Sequence, residues 1–157
     1  MTQAYISLMS NFGDRREHLN RAVWAINSLP DTKVSAVGRI YEAELPKEKP
    51  KNFFVSAIRI ETELSPEMLL GSLHGIEAAM GRNRKEKTCI IDLDLLLYGD
   101  CEIEDKNLIL PHKEILDRPY ILSALLSIYA DKNYKDRLRE LGQDNVKVTG
   151  EGLYMPL

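Results

Sequence analysis

Asp92 and Asp94 stand two residues apart inside an apolar run, Ile90-Ile91-Asp92-Leu93-Asp94-Leu95-Leu96-Leu97-Tyr98. On a strand, side chains at i and i+2 share a face, so the two carboxylates point one way and Leu93 and Leu95 the other. Two like charges on a buried face repel, and burying them unpaired is costly. A divalent cation removes that cost. Mg²⁺ is held by one or two carboxylates and takes its remaining ligands from water and phosphate oxygens. The plainer alternative is an edge strand with both carboxylates in solvent.

Three further features stand near this pair in sequence. Gly81-Arg82-Asn83-Arg84-Lys85-Glu86-Lys87 carries four cations in six residues, enough to neutralise the phosphates of a nucleotide or simply to form a solvated basic loop. Leu110-Pro111-His112 and Arg118-Pro119-Tyr120 supply a histidine that can donate to a phosphate and an arginine that can bridge two phosphate oxygens. Glu77 falls on or beside the apolar stripe of its helix. It is either a site residue or a helix-edge carboxylate bonded to the next strand. A carboxylate pair, a cationic loop and a His/Arg segment together fit phosphoryl transfer, which depends on positioning and charge neutralisation more than on a covalent nucleophile. No G-x-x-x-x-G-K-[ST] loop is present, so the chemistry is not that of a P-loop enzyme.

Alternating strand and helix patterns must position these groups. Residues 4–9 read as a short strand. Asp14 caps a helix with Glu17 at the capping-box position, and Leu19, Ala22, Val23 and Ile26 recur at helical spacing before Leu29-Pro30 ends it. Residues 33–45 read as one strand running into a charged, Pro-bracketed loop over 46–52. Residues 53–64 alternate, with Val55, Ala57, Arg59 and Glu61 on one face. Ser65-Pro66-Glu67 starts a second helix striped by Leu69, Leu70, Leu73, Ile76 and Met80, with Gly81 as its C′ residue. Residues 89–98 read as a buried strand turned by Gly99-Asp100, and 119–130 as a third helix. The polar tail holds a short helix over 135–141 and a strand near 146–149. The order β-α-β-β-α-β with an appended helix predicts an α/β (α+β) fold of ferredoxin-like type: one mostly antiparallel sheet with helices on its faces.

At 157 residues the chain is expected to form one domain spanning 1–157, with no need of disulfide staples. Its net charge of −3 gives no push toward nucleic acid or an anionic membrane, and it lacks the aromatic run of an RNA-binding sheet. Cys89 and Cys101 form neither a C-x-x-C pair nor a zinc set. MTQAYISLMSN has no basic segment before an apolar one, and no apolar run reaches membrane-spanning length. A cytoplasmic monomer is the expectation.

These residues together resemble the 6-hydroxymethyl-7,8-dihydropterin pyrophosphokinase family of folate biosynthesis. The resemblance runs through Leu8-Met9-Ser10-Asn11-Phe12-Gly13-Asp14-Arg15, Tyr41, Phe53, Ser65-Pro66-Glu67, Ile76-Glu77, Gly81-Arg82-Asn83-Arg84, Asp92-Leu93-Asp94-Leu95-Leu96-Leu97-Tyr98-Gly99 and Leu110-Pro111-His112 with Arg118. It implies transfer of pyrophosphate from MgATP to the hydroxymethyl group of a dihydropterin, with release of AMP. It assigns two Mg²⁺ to Asp92 and Asp94, and catalytic roles to these two and to Arg82 and Arg84, which lie on a flexible catalytic loop and stabilise the transferring group. Glu77, Lys85, His112 and Arg118 are assigned to ATP. Ala43, Leu45, Phe53, Val55 and Tyr120 are assigned to the pterin, with Phe53 and Tyr120 stacking on its ring. The chain departs from the family pattern at Met9 (usually Gly), Ala43-Glu44 (usually Thr-Pro), Val55 (usually an Asn that bonds the pterin edge), Cys89 (usually Arg) and Lys113 (often aromatic). Metal and phosphate features thus match better than pterin features. The alternatives are a paralogue that binds MgATP and serves another acceptor, and a non-catalytic binding module.

Overall fold

The computed structural model describes residues 1–44 and 52–156. The expected contact Leu45 and most of the expected exposed loop lie outside them. The elements are β1 (Thr2–Ser10), α1 (Arg15–Asn27), β2 (Thr32–Val37), β3 (Arg39–Ala43), β4 (Phe53–Thr62), α2 (Pro66–Ala79), β5 (Asp92–Tyr98), β6 (Ile103–Glu104), β7 (Ile109–Leu110), a 3-10 turn (Lys113–Leu116), α3 (Pro119–Leu126), α4 (Lys132–Leu141) and β8 (Val146–Gly152).

The main sheet runs β5-β1-β4-β3-β8, and β2 also pairs with β4. Its pairings are all antiparallel. With β2 and β3 taken as one interrupted strand, the order is ferredoxin-like, as the alternation of elements predicts, and β8 extends one edge. Strand alternation sorts the sheet into two buried faces. Ile6, Leu8, Ile58, Ile60, Leu93 and Leu95 pack under Leu19, Val23 and Ile26 of α1 and Leu69, Leu73 and Ile76 of α2. On the opposite face Met9, Val55 and Ala57 meet Ala124 of α3, while Leu96 and Leu97 meet Ile121, Leu122 and Leu125. The β1–β5 register pairs Met9 with Asp92 and Ser7 with Asp94, which fixes both carboxylates on the α3 side.

Four boundaries differ from the sequence expectation, each for a local reason. The strand over 33–45 is two strands, broken at Gly38. Its N–H donates to the Ala57 carbonyl (2.9 Å) and its own carbonyl accepts from Leu153 (3.1 Å). No side chain fits there: a Cβ would lie 2.7 Å from Ser127 Oγ and 2.8 Å from the Ala57 oxygen. β5 starts at Asp92 rather than residue 89, because Asn11 takes over the Cys89 backbone. Asn11 Oδ1 accepts from the Cys89 N–H (2.6 Å), and the Asn11 N–H donates to the Cys89 carbonyl (2.9 Å). α3 stops at Leu126, where Ser127 Oγ donates back to the Ala124 carbonyl (2.7 Å) and accepts from the Arg39 N–H (3.3 Å). α4 begins three residues earlier than expected because Asp131 caps it, accepting from the Tyr134 N–H (2.8 Å). The two residues each of β6 and β7 are too short to leave a periodic signal.

Replacing Gly38 by Ala should overpack this crossing and cost about 1–3 kcal/mol. The urea midpoint of Gly38→Ala is expected to fall with an unchanged slope; a midpoint equal to that of the unaltered chain would contradict the close approach.

Candidate active site

β5 carries the two aspartates out of the core at its first turn of alternation. Both are partly exposed, with Asp92 30% and Asp94 28% accessible at the side chain. Helix α2, capped at Ser65 with Pro66 at its first position, brings Glu77 against the same strand. Glu77 is only 3% exposed and accepts a hydrogen bond from the Leu93 N–H at 2.8 Å. Of the two possibilities left open by the sequence, the bond to the neighbouring strand is the one observed, and the same carboxylate also meets the basic loop. Arg82 Nη1 lies 2.5 Å from Glu77 Oε2 and 2.8 Å from Asp92 Oδ1, and Arg84 Nη2 lies 3.2 Å from Glu77 Oε1. Positive φ at Gly81 (93°) lets the chain leave α2 sharply enough to fold the two arginines back onto it.

The charge balance is reflected in the proton affinities. Burial, followed by the neighbouring Asp92, Glu114 and Glu77 carboxylates, pushes Asp94 up to about 7. Burial also raises Glu77, against the opposing pull of the Leu93 hydrogen bond and of Arg82. His112 is lowered, chiefly by burial. Its Nδ1 accepts from the Glu114 N–H (3.2 Å), which leaves the proton on Nε2, 3.8 Å from Asp94 Oδ1. A neutral imidazole with an outward N–H is thus held at the edge of the carboxylate pair. Its backbone is fixed by donation to the Leu96 carbonyl at 2.9 Å.

The carboxylates lie between two cavities. One, of about 260 Å³, is lined by Leu70, His74, Asp94, Leu95, residues 106–109, His112 and Lys113. The other, of about 270 Å³, is lined by Phe53, Arg82, Asn83, Arg84, residues 86–89 and Asp92. Each aspartate therefore opens onto a different hollow. The remaining expected residues take several positions. Tyr120 and Phe53 belong to one apolar cluster; Phe53 lines the second cavity and Tyr120 lines neither. Ala43 and Val55 are fully buried within that cluster and line neither cavity. Lys85 is exposed on the basic loop, its N–H bonded to Asn83 Oδ1 (3.0 Å). Arg118 stands at the start of α3, half-exposed, 3.7 Å from Glu114. Sequence reasoning missed His74 and residues 106–109. Leu70, His74 and Glu77 follow the i, i+4, i+7 spacing of one helix face, which was the available signal. The stretch 106–109 offers no such pattern.

Among the described residues no group of three or more His, Cys, Asp or Glu is placed to hold a metal ion. A pair suits Mg²⁺ nonetheless, since this ion keeps several ligands for water and phosphate. The burial that pushes Asp94 up to about 7 marks a charge deficit that a cation would relieve.

Residues 5–130 match the family model described as 7,8-dihydro-6-hydroxymethylpterin-pyrophosphokinase (HPPK). The chain belongs to this family. The bifunctional protein FolKE of Lactococcus lactis subsp. cremoris is 33% identical over 146 residues, 89% of this chain and 41% of that protein. The 2-amino-4-hydroxy-6-hydroxymethyldihydropteridine pyrophosphokinase of Bacillus subtilis is 34% identical over 148 residues, 92% of this chain and 89% of that one. Its counterpart in Haemophilus influenzae is 37% identical over 138 residues, covering 83% and 84%. This HPPK chain thus spans less than half of the bifunctional relative and most of the other two. The crystal structure of wild-type Plasmodium falciparum HPPK-DHPS with SDX-DHP shares the fold, with a TM-score of 0.70 over 94% of this chain and 47% of that chain at 14% identity.

A folded-state pKa near 7 against an unfolded value near 4 means that Asp94 favours the folded state fully below about pH 4, a contribution lost as pH rises through about 7. Without divalent ions, the melting temperature should therefore fall across this window. Asp94→Asn should flatten that fall and gain on the order of 1–3 kcal/mol at pH 8. Parallel pH profiles for the two proteins would contradict the burial of an uncompensated Asp94.

Proposed function

We propose that this chain transfers pyrophosphate from ATP to the hydroxymethyl group of a 6-hydroxymethyl-7,8-dihydropterin and releases AMP. The observation that carries this reading is the placement of Asp92 and Asp94 between two separate cavities, one opening from each carboxylate. Two substrates that must meet at a polyphosphate suit that arrangement. The cavity of Leu70, His74 and His112 suits a nucleotide: apolar and imidazole groups for a base, and a neutral His112 Nε2–H for a phosphate oxygen. The cavity beside Phe53 suits the ring of the acceptor, with its hydroxymethyl group turned toward Asp92.

Mg²⁺ seated on Asp92 and Asp94, two ions in this reading, would neutralise the polyphosphate and orient it toward the acceptor. The chain's own residues supply the rest. Arg82 and Arg84, on the loop that follows α2, carry the charge that offsets the transferring group. Lys85 and Arg118, both reachable from solvent, add cations for the outer phosphates. Phe53 and Tyr120 hold the ring, and Ala43 and Val55 belong to the wall behind it. The acceptor oxygen bonds to the β-phosphorus, the bond from that phosphorus to the α-phosphate bridging oxygen breaks, and the hydroxyl proton is released. Charge is spread over phosphate oxygens throughout, so fixed cations and excluded water do most of the catalysis. Both cavities are lined within one chain, so the reading needs no second copy. It places the protein in the cytoplasm, where ATP is held.

A second reading has a specific observation in its favour. Val55 is fully buried and offers neither donor nor acceptor where the family pattern has an amide. An acceptor edge left unpaired there loses about 1–3 kcal/mol per group. An acceptor other than a pterin is therefore the alternative.

AMP formation from MgATP and 6-hydroxymethyl-7,8-dihydropterin, followed by chromatography, decides between the two. Turnover is expected, with Asp92→Ala lowering it roughly a thousandfold or more. ATP binding without AMP release at any pterin concentration would favour the second reading.

A further inference from the structure

Arg82 already occupies one oxygen of the carboxylate assigned to a metal. Its Nη1 is shared between Asp92 Oδ1 at 2.8 Å and Glu77 Oε2 at 2.5 Å, so one guanidinium nitrogen bridges a site carboxylate and a buried helix carboxylate. Arg82 is largely buried (16% exposed at the side chain) while Arg84 is 65% exposed. The Arg82 N–H also donates to the Glu77 carbonyl at 3.0 Å, tying the start of the basic loop to the end of α2. Glu77 in turn is anchored to β5 through the Leu93 N–H, one residue from Asp92. It cannot follow the loop if the loop moves.

We propose that Arg82 is the resident counter-cation of the Asp92 carboxylate, that a divalent ion competes with it for that carboxylate, and that Glu77 is the positioning residue that keeps hold of the displaced arginine. This rests on the assignment of Asp92 as a metal ligand. A cation seated on Asp92 and the guanidinium held 2.8 Å from its Oδ1 repel each other and draw on the same carboxylate charge, so occupancy by one weakens the hold of the other. The release is partial. Glu77 already accepts from the same nitrogen and is rigid, so Arg82 stays within reach of the site instead of swinging into solvent. Glu77 then serves as an anchor for the loop. The arrangement also explains a carboxylate buried to 3% exposure with two arginines on it. A buried carboxylate without a cation would be costly, and it is placed where an arginine has to arrive.

The test uses Mn²⁺ alone as the probe, titrated by electron paramagnetic resonance into the full chain without nucleotide. Arg82→Met should bind Mn²⁺ at least fivefold more tightly than the unaltered protein. Arg84→Met removes a nearby charge that touches Glu77 but not Asp92, and should change the affinity by less than twofold. Equal affinity in Arg82→Met and the unaltered chain, or equal gains in both variants, would overturn direct competition. Failure of every variant and of the unaltered chain to bind Mn²⁺ would instead overturn the metal assignment itself. Glu77→Gln removes the charge on the anchor while keeping an acceptor for the Leu93 N–H. In saturating Mn²⁺, tryptic cleavage within residues 82–87 should be at least tenfold faster in Glu77→Gln than in the unaltered chain. Equal rates, with both proteins shown folded by circular dichroism, would overturn the role of Glu77.

Discussion

Three carboxylates converge where β5 meets the end of α2, and the fold supplies two arginines and a neutral histidine to meet them. That imbalance organises the rest of the site. Glu77 is nearly inaccessible, Asp94 is pushed to about 7 by burial and by its neighbours, and Asp92 shares its oxygen with Arg82. A protein interior tolerates such a cluster only when cations arrive to complete it. The basic loop provides some of that charge and leaves Asp94 short. In the proposed function, a polyphosphate accompanied by Mg²⁺ would bring the missing cations together with further negative charge, and arginines on a loop would serve both.

The sheet turns this electrostatic constraint into geometry. The β1–β5 register sets Asp92 opposite Met9 and Asp94 opposite Ser7. A slip of one residue would send both carboxylates into the apolar core under α1 and α2. The Asn11 clamp on Cys89 holds the chain in place just before Asp92, and Gly81 turns it just after α2. The basic loop is thereby tethered at both ends to elements that carry site carboxylates. Across the sheet, α3 covers the apolar cluster of Met9, Phe53 and Val55, with Arg118 as its N-cap and Tyr120 in its first turn.

Much of this was legible in the residues. Period-two alternation in β1, β4 and β5, the Ser65-Pro66 helix start and Gly81 predicted the elements and their order, and the D-x-D spacing predicted a shared face for the carboxylates. What was not legible depended on long-range contacts. Nothing local in 33–45 shows that Ser127, some ninety residues on, needs the space at Gly38. Nothing in 89–91 shows that a distant asparagine replaces the strand ladder. Val55 and Ala43 could be matched to a pattern, but only packing shows that both are sealed under Phe53 and Met9. Glu77 was ambiguous because a helical wheel places it without revealing that Arg82 and Arg84 fold back onto it.

The central claim is that the carboxylate pair divides a nucleotide site from an acceptor site. A crystal structure of the chain with Mn²⁺, a non-hydrolysable ATP analogue and 6-hydroxymethylpterin tests it most directly through the anomalous signal of the metal. Peaks at Asp92 and Asp94, with the nucleotide against Leu70 and His112 and the pterin against Phe53, are the predicted result. Metal bound away from the pair, or both ligands in the same cavity, would contradict it.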